Sequence, residues 1–386
     1  MQHVPETYLP FTTRSGCFLT PPFETADFTP EAYRFRAKPF PTKPTDFIDG
    51  LFTIAGNGGG PSSCDGAAAH VYSINASMSR RVFRNHDGDM LFIPQEGDLV
   101  IKTEFGELEL SPNEIAIIPR GISFQVGMRS SSQARGYVLE NFGAPFVIPD
   151  MGPIGISSGL AHPRHFLAPT ASFIDAAAAD LELVAKLSGK LFHGKLKYNP
   201  FDVVAWYGSH VPVKYDLRLF MPINAVGFDH ADPSIGCLLQ SPTAVTGLNN
   251  IDFVIFPPRW MVTENTFRPP WFHRNCMSEI MGLIQGRYDA KPGDGFLPGA
   301  CSIHNQFTPH GPDSEATALA LQQDTRNPVR YGKSIAFMFE SNKVWVPTSD
   351  AIASLMDVEY TKCWASIPKT FNQENVPQSP HPLPFE

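Results

Sequence analysis

The sequence lacks the features that mark nucleic-acid-binding and membrane proteins. No run of lysine or arginine is longer than the pair Arg80–Arg81, the formal net charge is -8 and the pI is near 5.8. Because nucleic-acid binding requires clustered positive charge, no nucleic-acid partner is expected. No apolar run approaches the roughly 20 residues of a membrane span, and the N-terminus has no basic segment followed by an apolar one. We therefore expect no membrane partner and a cytoplasmic location.

Paired cysteines are also missing. The chain has six cysteines, widely separated and without any Cys-x-x-Cys pair, a distribution that suits neither a zinc ribbon nor a secreted disulfide framework. We interpret them as free thiols in a reducing compartment.

Proline, glycine and aromatic residues are plentiful. The 386 residues include 37 Pro, 30 Gly and 30 Phe, and the Pro and Gly are scattered without a period, which predicts many short elements joined by turns. The aromatic content provides material for a core, so neither collagen nor disorder fits. The length allows two domains, or one large all-β body with an elaborate second half.

Short apolar stretches separated by turn signals fill residues 68–150. The alternation in DLVIKTEFGELEL, residues 98–110, predicts antiparallel hairpins of a sandwich or barrel. The same texture returns from Phe201 onward. We therefore predict an N-terminal β-domain over 1–165, a C-terminal β-domain over 201–372 and a Pro-rich, extended or disordered tail over 373–386.

Few helices are expected. The best candidate is PRHFLAPTASFIDAAAADLELVAKLSGKLF, residues 163–192, which is rich in alanine and apolar-periodic and closes on a glycine. It predicts a connector with a helix over 166–200. Shorter helices are predicted at SEATALALQQDT, residues 314–325, and SDAIASLMD, residues 349–357.

Residues 271–313 hold the densest group of metal-ligand side chains, with His273, Glu279, His304 and His310. Two imidazoles and one carboxylate form the facial triad that binds Fe(II) and leaves positions open for substrate and O2. A lone histidine in a β-protein is more often structural, so the density of the group carries the hypothesis. The His-Glu-x-x-His pattern of zinc peptidases is absent, and manganese or nickel stays open on ligand types alone.

The spacing within this group permits a shared site. His273 and Glu279 are six residues apart and share a strand face if no bulge intervenes. Glycines and prolines between residues 295 and 312 predict a hairpin that brings His310 back toward His273.

Other reactive side chains lie near the cluster. Tyr288 and Lys291 add a phenol and a cation, which suit a substrate that carries hydroxyl and carboxylate groups. His230 lies among turn-forming residues in GFDHADPS, so its local pattern favours a structural role. Cys276 and Cys301 flank the cluster, but neither has a defined base.

Long runs of this sequence resemble the homogentisate 1,2-dioxygenase family. They include NIDFVIFPPRW, TFRPPWFHRNCMSEIMGLIQGRYDAK, GFDHADPSI and TPHGPD in the second half, and NHDGD, TEFGELELSPNEIAIIPRG and GPIG in the first. The runs occur in the family's order from about residue 45 to about residue 370. The resemblance implies a mainly β, cupin-type fold of double-stranded β-helix (jelly-roll) barrels. In that fold a C-terminal domain binds iron and the N-terminal barrel is metal-free, with residues such as Asp89 and Phe124 at its ligand positions.

The resemblance also implies a set of site residues: metal ligands His273, Glu279 and His310, the acid-base histidine His230, and substrate contacts Tyr288, His304 and His310. It implies Fe(2+) as cofactor, a small phenolic acid and O2 as substrates, and a homo-oligomer, a trimer or hexamer. The expected reaction opens the ring of homogentisate between its hydroxyl-bearing and side-chain-bearing carbons and forms maleylacetoacetate, in tyrosine and phenylalanine catabolism.

Three features depart from the family pattern. A GFGNEF-like motif is not found, Trp271 stands where a tyrosine is usual, and the loop NGGGPSSCDG, residues 57–66, is unusually rich in glycine. Two alternatives therefore stay open. One is a dioxygenase for another 2,5-dihydroxyaryl acid or a hydroquinone, and the other is a catalytically silent cupin that binds a small aromatic.

Overall fold

The structure is a computed structural model that describes residues 12–14, 16–25, 28–149, 160–175, 180–222, 236–264, 266–293 and 295–369. Within these ranges the protein is mainly β, as predicted. The strands are β1 Thr12–Arg14, β2 Tyr33–Phe35, β3 Leu51–Gly60, β4 Asp65–Ile74, β5 Arg81–Asn85, β6 Asp89–Glu96, β7 Leu99–Thr103, β8 Gly106–Leu110, β9 Glu114–Ile118, β10 Ser123–Met128, β11 Ala134–Asn141, β12 Glu182–Leu187, β13 Lys190–Lys195, β14 Val213–Asp216, β15 Cys237–Pro242, β16 Asn249–Phe256, β17 Arg259–Met261, β18 Ser278–Gln285, β19 Cys301–His304, β20 Val329–Tyr331, β21 Ile335–Ser341 and β22 Val346–Pro347. The α-helices are α1 Phe47–Gly50, α2 Ser314–Leu321 and α3 Ser349–Leu355.

Most of these strands belong to three packed sheets. The outer sheet has the order β1-β13-β12-β5-β10-β7-β8, the central sheet β14-β9-β6-β11-β4-β3-β22, and the site sheet β15-β16-β21-β18-β19-β2. Strands β17 and β20 form a separate pair. One hydrophobic core lies between the outer and central sheets, and a second lies between the central and site sheets.

The central sheet is buried on both faces. Along β6, Met90 and Phe92 belong to the core shared with the outer sheet, whereas Leu91 and Ile93 belong to the core shared with the site sheet. Because both faces are apolar, this strand is a continuous hydrophobic run. Strands β7 and β8 instead alternate between buried and more exposed residues, as the pattern of residues 98–110 predicts.

The two halves of the chain exchange strands. β2 pairs with β19 and completes the edge of the site sheet, while β22 pairs with β3 in the central sheet. The Tyr137 hydroxyl donates to the carbonyls of Leu283 and Ala300 at 3.0 and 2.8 Å, which ties the central sheet to the site sheet. The domain boundaries at residues 165 and 201 stay a prediction.

The helix predicted within residues 163–192 is wrong in its second part. Residues 182–195 form a hairpin of β12 and β13, and β12 also pairs in parallel with β5. Ser188 and Gly189 turn the chain with φ angles of 49° and 74°, left-handed values that suit a two-residue hairpin turn and end a helix. The Ser188–Gly189 pair was the sequence signal for this turn, and it was missed. Residues 182–187 form a strand in spite of their helical apolar period, because they pair with the distant strand β5.

The other two helices are confirmed. Asp313 accepts a hydrogen bond from the backbone of Ala316 and caps α2, and Thr348 accepts one from Ala351 and caps α3. No helix among the described residues is long and apolar enough to span a membrane. The tail predicted over 373–386 lies outside the described residues.

Candidate metal centre

Antiparallel pairing sets a row of polar side chains across the site sheet. Glu279 on β18 lies opposite His304 on β19, and on its other side it lies opposite Glu340 on β21. All three residues are buried. Because directly opposite residues of a sheet point to the same face, their functional groups converge.

His273 and His310 meet outside the regular strands. Their backbones form an isolated antiparallel bridge, in which His273 N donates to His310 O at 2.8 Å and His310 N donates to His273 O at 3.0 Å. The ring centroids are 4.4 Å apart. The predicted return of the chain toward His273 is therefore confirmed. A common strand face is not what joins His273 to Glu279, because His273 precedes β18.

The imidazoles and the carboxylate converge on one point. One candidate ligand atom from each of His273, Glu279 and His310 lies within 4.8 Å of the other two. His273 Nδ1 is 2.6 Å from the Trp271 carbonyl oxygen, and His310 Nδ1 is 2.9 Å from the Thr308 carbonyl oxygen. Because a carbonyl only accepts, each Nδ1 donates, which leaves Nε2 of each ring as the atom that can bind a metal.

The contact between His310 and Glu279 fits a site for a cation. His310 Nε2 lies 3.0 Å from Glu279 Oε2, yet this buried nitrogen has no hydrogen-bond partner. An acceptor nitrogen facing a carboxylate oxygen is unfavourable unless a positive charge lies between them. Two imidazole nitrogens and one carboxylate oxygen are the ligand set that Fe(II) oxygenases use. The residues present therefore fit a divalent iron ion.

Asn275 orients the carboxylate. Its Nδ2 donates to Glu279 Oε1 at 2.9 Å and to Glu340 Oε1 at 2.8 Å. Its own Oδ1 accepts from the backbone of Met277, and its carbonyl accepts from Phe307. Glu279 Oε2 is thereby left facing the histidines. The sequence reasoning missed Asn275, although its place between the two ligands in HRNCMSE was a usable signal.

His304 lies beside the ligand group. Its ring stacks on His310 with centroids 4.1 Å apart and an interplanar angle of 7°. His304 Nε2 is 2.7 Å from the Tyr360 hydroxyl, and its Nδ1 is 3.6 Å from Glu279 Oε2. Its predicted supporting or substrate-facing role stays a prediction. The sequence reasoning missed Tyr360, which lies 56 residues further along the chain.

The protonation states suit a metal ion. Burial lowers the pKa of His273, helped by neighbouring His310, and lowers the pKa of His304 well below its ordinary value. Burial acts to raise the pKa of Glu279, but contacts with His304 and His310 outweigh it and hold that pKa well below its usual range. Near neutral pH His273 is therefore neutral and Glu279 is ionised, which are the forms that bind metal.

A cleft opens over the candidate ligands. Its apolar walls include Phe256, Met281 and Met338, and Tyr288 and Lys291 add polar groups. Tyr288 is buried, and burial raises the pKa of its hydroxyl well above the usual value, so the phenol stays protonated and can donate. Tyr288 lines the same cleft as the three candidate ligands, and its role as a substrate contact stays a prediction.

His230 lies outside the described residues, so its position relative to the ligands stays a prediction. Asp89 and Phe124, the two residues expected at the ligand positions of the N-terminal barrel, lie within the described part of the chain. Asp89 forms an ion pair with Arg120, and Phe124 packs edge-on against Phe83 and Phe92 in the core between the outer and central sheets.

Two family models match almost the whole chain, and solved structures match it only distantly. A family model described as homogentisate 1,2-dioxygenase N-terminal matches residues 5–217, and one described as homogentisate 1,2-dioxygenase C-terminal matches residues 218–371. Among solved structures, AerE from Microcystis aeruginosa is 8% identical, with 80% of this chain and 98% of that chain covered and a TM-score of 0.34. A cupin 2 conserved barrel domain protein from Leptotrichia buccalis is 8% identical, with coverage of 75% and 88% and a TM-score of 0.32.

Proposed function

The chain belongs to the homogentisate 1,2-dioxygenase family, and from this premise we propose that it is an Fe(II)-dependent enzyme that opens the ring of homogentisate with O2 and forms maleylacetoacetate. A dioxygenase-type function follows from the family. The observation that supports iron is the group of half-buried His273 and buried Glu279 and His310, in which the unpartnered Nε2 of His310 faces a carboxylate oxygen.

The protein's part in metal binding is to fix three ligand atoms. His273 and His310 would hold the ion through Nε2, because their Nδ1 atoms are engaged by backbone carbonyls. Glu279 would hold it through Oε2, because Asn275 engages Oε1. Bound Fe(II) would supply open positions for the substrate and O2, and would relay electron density from the phenolic ring to O2.

The cleft is suited to an aromatic acid. Phe256, Met281 and Met338 present apolar surface for a ring and exclude water from it. The Tyr288 phenol lies in the same cleft as a hydrogen-bond donor for the substrate carboxylate. These contacts would orient the ring so that one ring hydroxyl lies near the candidate ligand group.

Proton transfer needs a base near the ring hydroxyl. By its family match we propose His230 as the group that takes the phenol proton. His304 would keep His310 and Glu279 in place through its stacking and its hydrogen bond to Tyr360.

The test is anaerobic reconstitution with Fe(II), followed by oxygen-electrode and absorbance assays with homogentisate, gentisate and hydroquinone. His273→Ala is the inactive variant, and His210→Ala, which alters an exposed histidine outside the cleft, is the matched control. Iron-dependent O2 uptake with homogentisate that only His273→Ala abolishes is the expected result. Uptake only with another phenol changes the substrate, and no uptake with any phenol favours the silent aromatic-binding cupin.

Two further parts of the proposal concern its cellular setting. A homo-oligomer, a trimer or hexamer, is expected from the family, and light scattering on the purified chain tests it. A cytoplasmic location agrees with six free cysteines.

A further inference from the structure

Arg34 is a buried arginine that the N-terminal half of the chain contributes to the site sheet. It lies on β2, which pairs with β19, and the register places it opposite Ser302. His304 follows Ser302 by two residues on β19. Because directly opposite residues share a face of a sheet, as do residues two apart on a strand, Arg34 lies on the same face as His304. Arg34 is 8% exposed, and a buried guanidinium requires partners for its charge.

Arg34 is held by Asp357 and packs on Tyr360. Its Nε and Nη2 donate to Asp357 Oδ2 at 2.9 and 2.5 Å, and the backbone N of Asp357 donates to the Arg34 carbonyl at 2.7 Å. The guanidinium carbon lies 4.6 Å from the centroid of the Tyr360 ring, which is within the range of a cation–π contact. The ion pair therefore fixes the guanidinium against one face of the phenol ring.

Tyr360 connects this arginine to the histidine beside the candidate ligands. Its hydroxyl is 2.7 Å from His304 Nε2, and burial raises the pKa of the phenol well above its usual value, so the hydroxyl keeps its proton. His304 Nδ1 lies 3.6 Å from Glu279 Oε2. Because a carboxylate only accepts, the imidazole proton is best placed on Nδ1, and Nε2 then accepts from Tyr360. The phenol thus sets both the tautomer and the orientation of the His304 ring.

The orientation of His304 bears directly on two candidate ligands. Its ring lies parallel to that of His310, with centroids 4.1 Å apart and an interplanar angle of 7°. His310 Nε2 in turn lies 3.0 Å from Glu279 Oε2. A rotation of His304 would therefore displace His310 from its position against the carboxylate. Contacts now lead without a break from Arg34 through Tyr360 and His304 to the ligand group, and groups joined in this way are energetically coupled.

We propose that Arg34 is a positioning residue for the candidate metal centre, which acts through Tyr360 on His304 and thereby holds His310 and Glu279 in the geometry that binds a divalent ion. This inference rests on the proposed function, because it concerns the same site. It makes metal binding in the C-terminal half of the chain depend on a strand from the N-terminal half.

The experiment measures the metal site itself. Fe(II) affinity is measured anaerobically by competition with a calibrated chelator, and the visible ligand-field bands of the Co(II)-loaded protein report the geometry of the ligands. The variants are Arg34→Met, which removes the charge, Arg34→Lys, which keeps it, and Tyr360→Phe, which removes only the hydroxyl. Arg81→Met is the matched control, because Arg81 also forms a largely buried ion pair, with Asp46, but lies in the outer sheet.

The expected result is a weaker and distorted metal site. Arg34→Met should weaken Fe(II) binding roughly 10-fold, the lower end of what an outer-shell change costs, and should shift the Co(II) bands. Arg34→Lys should recover most of the affinity, because an ammonium keeps a cation over the ring. Tyr360→Phe should also weaken binding. The double variant should lose no more than Tyr360→Phe alone, because both changes break the same series of contacts. Arg81→Met should leave affinity and bands unchanged.

Three outcomes overturn the inference. They are wild-type affinity and bands in Arg34→Met, an equal loss in Arg81→Met, and losses of Arg34→Met and Tyr360→Phe that add in the double variant, which would make Arg34 a stabiliser of the fold alone. If urea unfolding shows that Arg34→Met does not fold, Arg34→Gln gives the same comparison with an uncharged polar side chain.

Failure of the proposed function gives a different result. A wild-type protein that binds Fe(II) but consumes no O2 with any of the phenols contradicts the proposed function alone, whereas O2 consumption with unchanged metal affinity in Arg34→Met contradicts this inference alone. A wild-type protein that binds neither Fe(II) nor Co(II) contradicts both.

Discussion

The protein contains two buried clusters of histidine and carboxylate, one in each half, that differ in their source of positive charge. The N-terminal cluster consists of His70, Asp87, Glu140 and Lys186. Lys186 Nζ lies 2.5 Å from Glu140 Oε1 and 3.0 Å from Asp87 Oδ2. His70 Nε2 is 3.3 Å from Glu140 Oε2, and its Nδ1 is 2.9 Å from the Thr53 hydroxyl. The charged groups of this cluster therefore all find their partners among the protein's own side chains.

Among the described residues, no lysine pairs with the Glu279 carboxylate in the candidate metal centre of His273, Glu279 and His310. Its histidines are fixed through Nδ1 by carbonyls, and the buried Nε2 of His310 faces a carboxylate oxygen without a hydrogen bond. Similar residue types thus form a closed structural network where a lysine pairs with the carboxylates, and a candidate ligand set where the histidines alone contact the carboxylate. The source of the positive charge therefore decides the role of a buried histidine–carboxylate cluster.

The largest effect is expected from removing the charge of one candidate ligand. Glu279→Gln keeps the side chain's shape but removes the carboxylate. The loss of iron affinity should exceed the roughly 10- to 100-fold that an outer-shell change costs, and O2 uptake should vanish. Iron per folded chain, measured by chelator titration, checks this. Glu140→Gln is the matched change in the N-terminal cluster and should still bind iron. Stoichiometric iron in Glu279→Gln would contradict the ligand assignment.

Removing the charge of Lys186, the cation of the N-terminal cluster, should destabilise the fold. Lys186→Met leaves Glu140 and Asp87 buried without their partner, which should lower the free energy of unfolding by roughly 3–5 kcal/mol. Urea unfolding measures it, and Lys102→Met, which breaks a surface pair, should change it by less than about 1 kcal/mol. Equal effects of the two substitutions would show that Lys186 is not the cluster's counter-charge.

Acid should affect the N-terminal cluster in a defined pH window. Burial acts to raise the pKa of Glu140, but Lys186 and His70 outweigh it and lower the pKa from 4.5 to about 2. Because the folded pKa lies below the unfolded one, the stabilisation is complete above the unfolded value. It is lost as pH falls from 4.5 toward about 2, at ~1.4 kcal/mol per pH unit and ~3 kcal/mol in total. Urea midpoints of wild type and Glu140→Gln should therefore converge as pH falls through this window. A constant gap would refute the shift.

The orientation of Glu279 should depend on Asn275. Asn275→Ala removes the amide that holds Oε1 and should weaken iron binding roughly 10- to 100-fold. Asn327→Ala, at an exposed amide, is the control and should leave iron affinity unchanged. The measurement is competition for Fe(II) with a calibrated chelator. Equal affinities of the two variants would place Asn275 outside the support of the ligand.

The smallest effect on stability is expected at the turn that follows the strand of Lys186. Gly189 has a φ of 74°, and its backbone N donates to Asp87 Oδ2 at 2.8 Å. Gly189→Ala should cost roughly 1–2 kcal/mol because an L-residue resists this conformation. Gly16→Ala is the control in the same urea experiment, because no atom lies within 4 Å of the position that an alanine Cβ would occupy there. A neutral Gly189→Ala would show that the turn relaxes at no cost.

Local sequence determined much of what the structure contains. The alternation of residues 98–110 encodes β7 and β8, because every second side chain faces the core. Capping aspartate and threonine residues mark the starts of α2 and α3. The residue types of His273, Glu279 and His310, together with the sequence runs that resemble the family in the same order, are enough to identify the candidate site.

Only the tertiary structure decided how these parts meet. The stretch before Ser188 has a helical period by itself, but pairing with β5 makes it a strand and buries Lys186 beside Glu140. Asn275 holds both Glu279, which is 4 residues away along the chain, and Glu340, which is 65 residues away. The reason is physical: periodicity encodes which face of an element is apolar, whereas the pairing of buried polar atoms depends on partners that are distant along the chain.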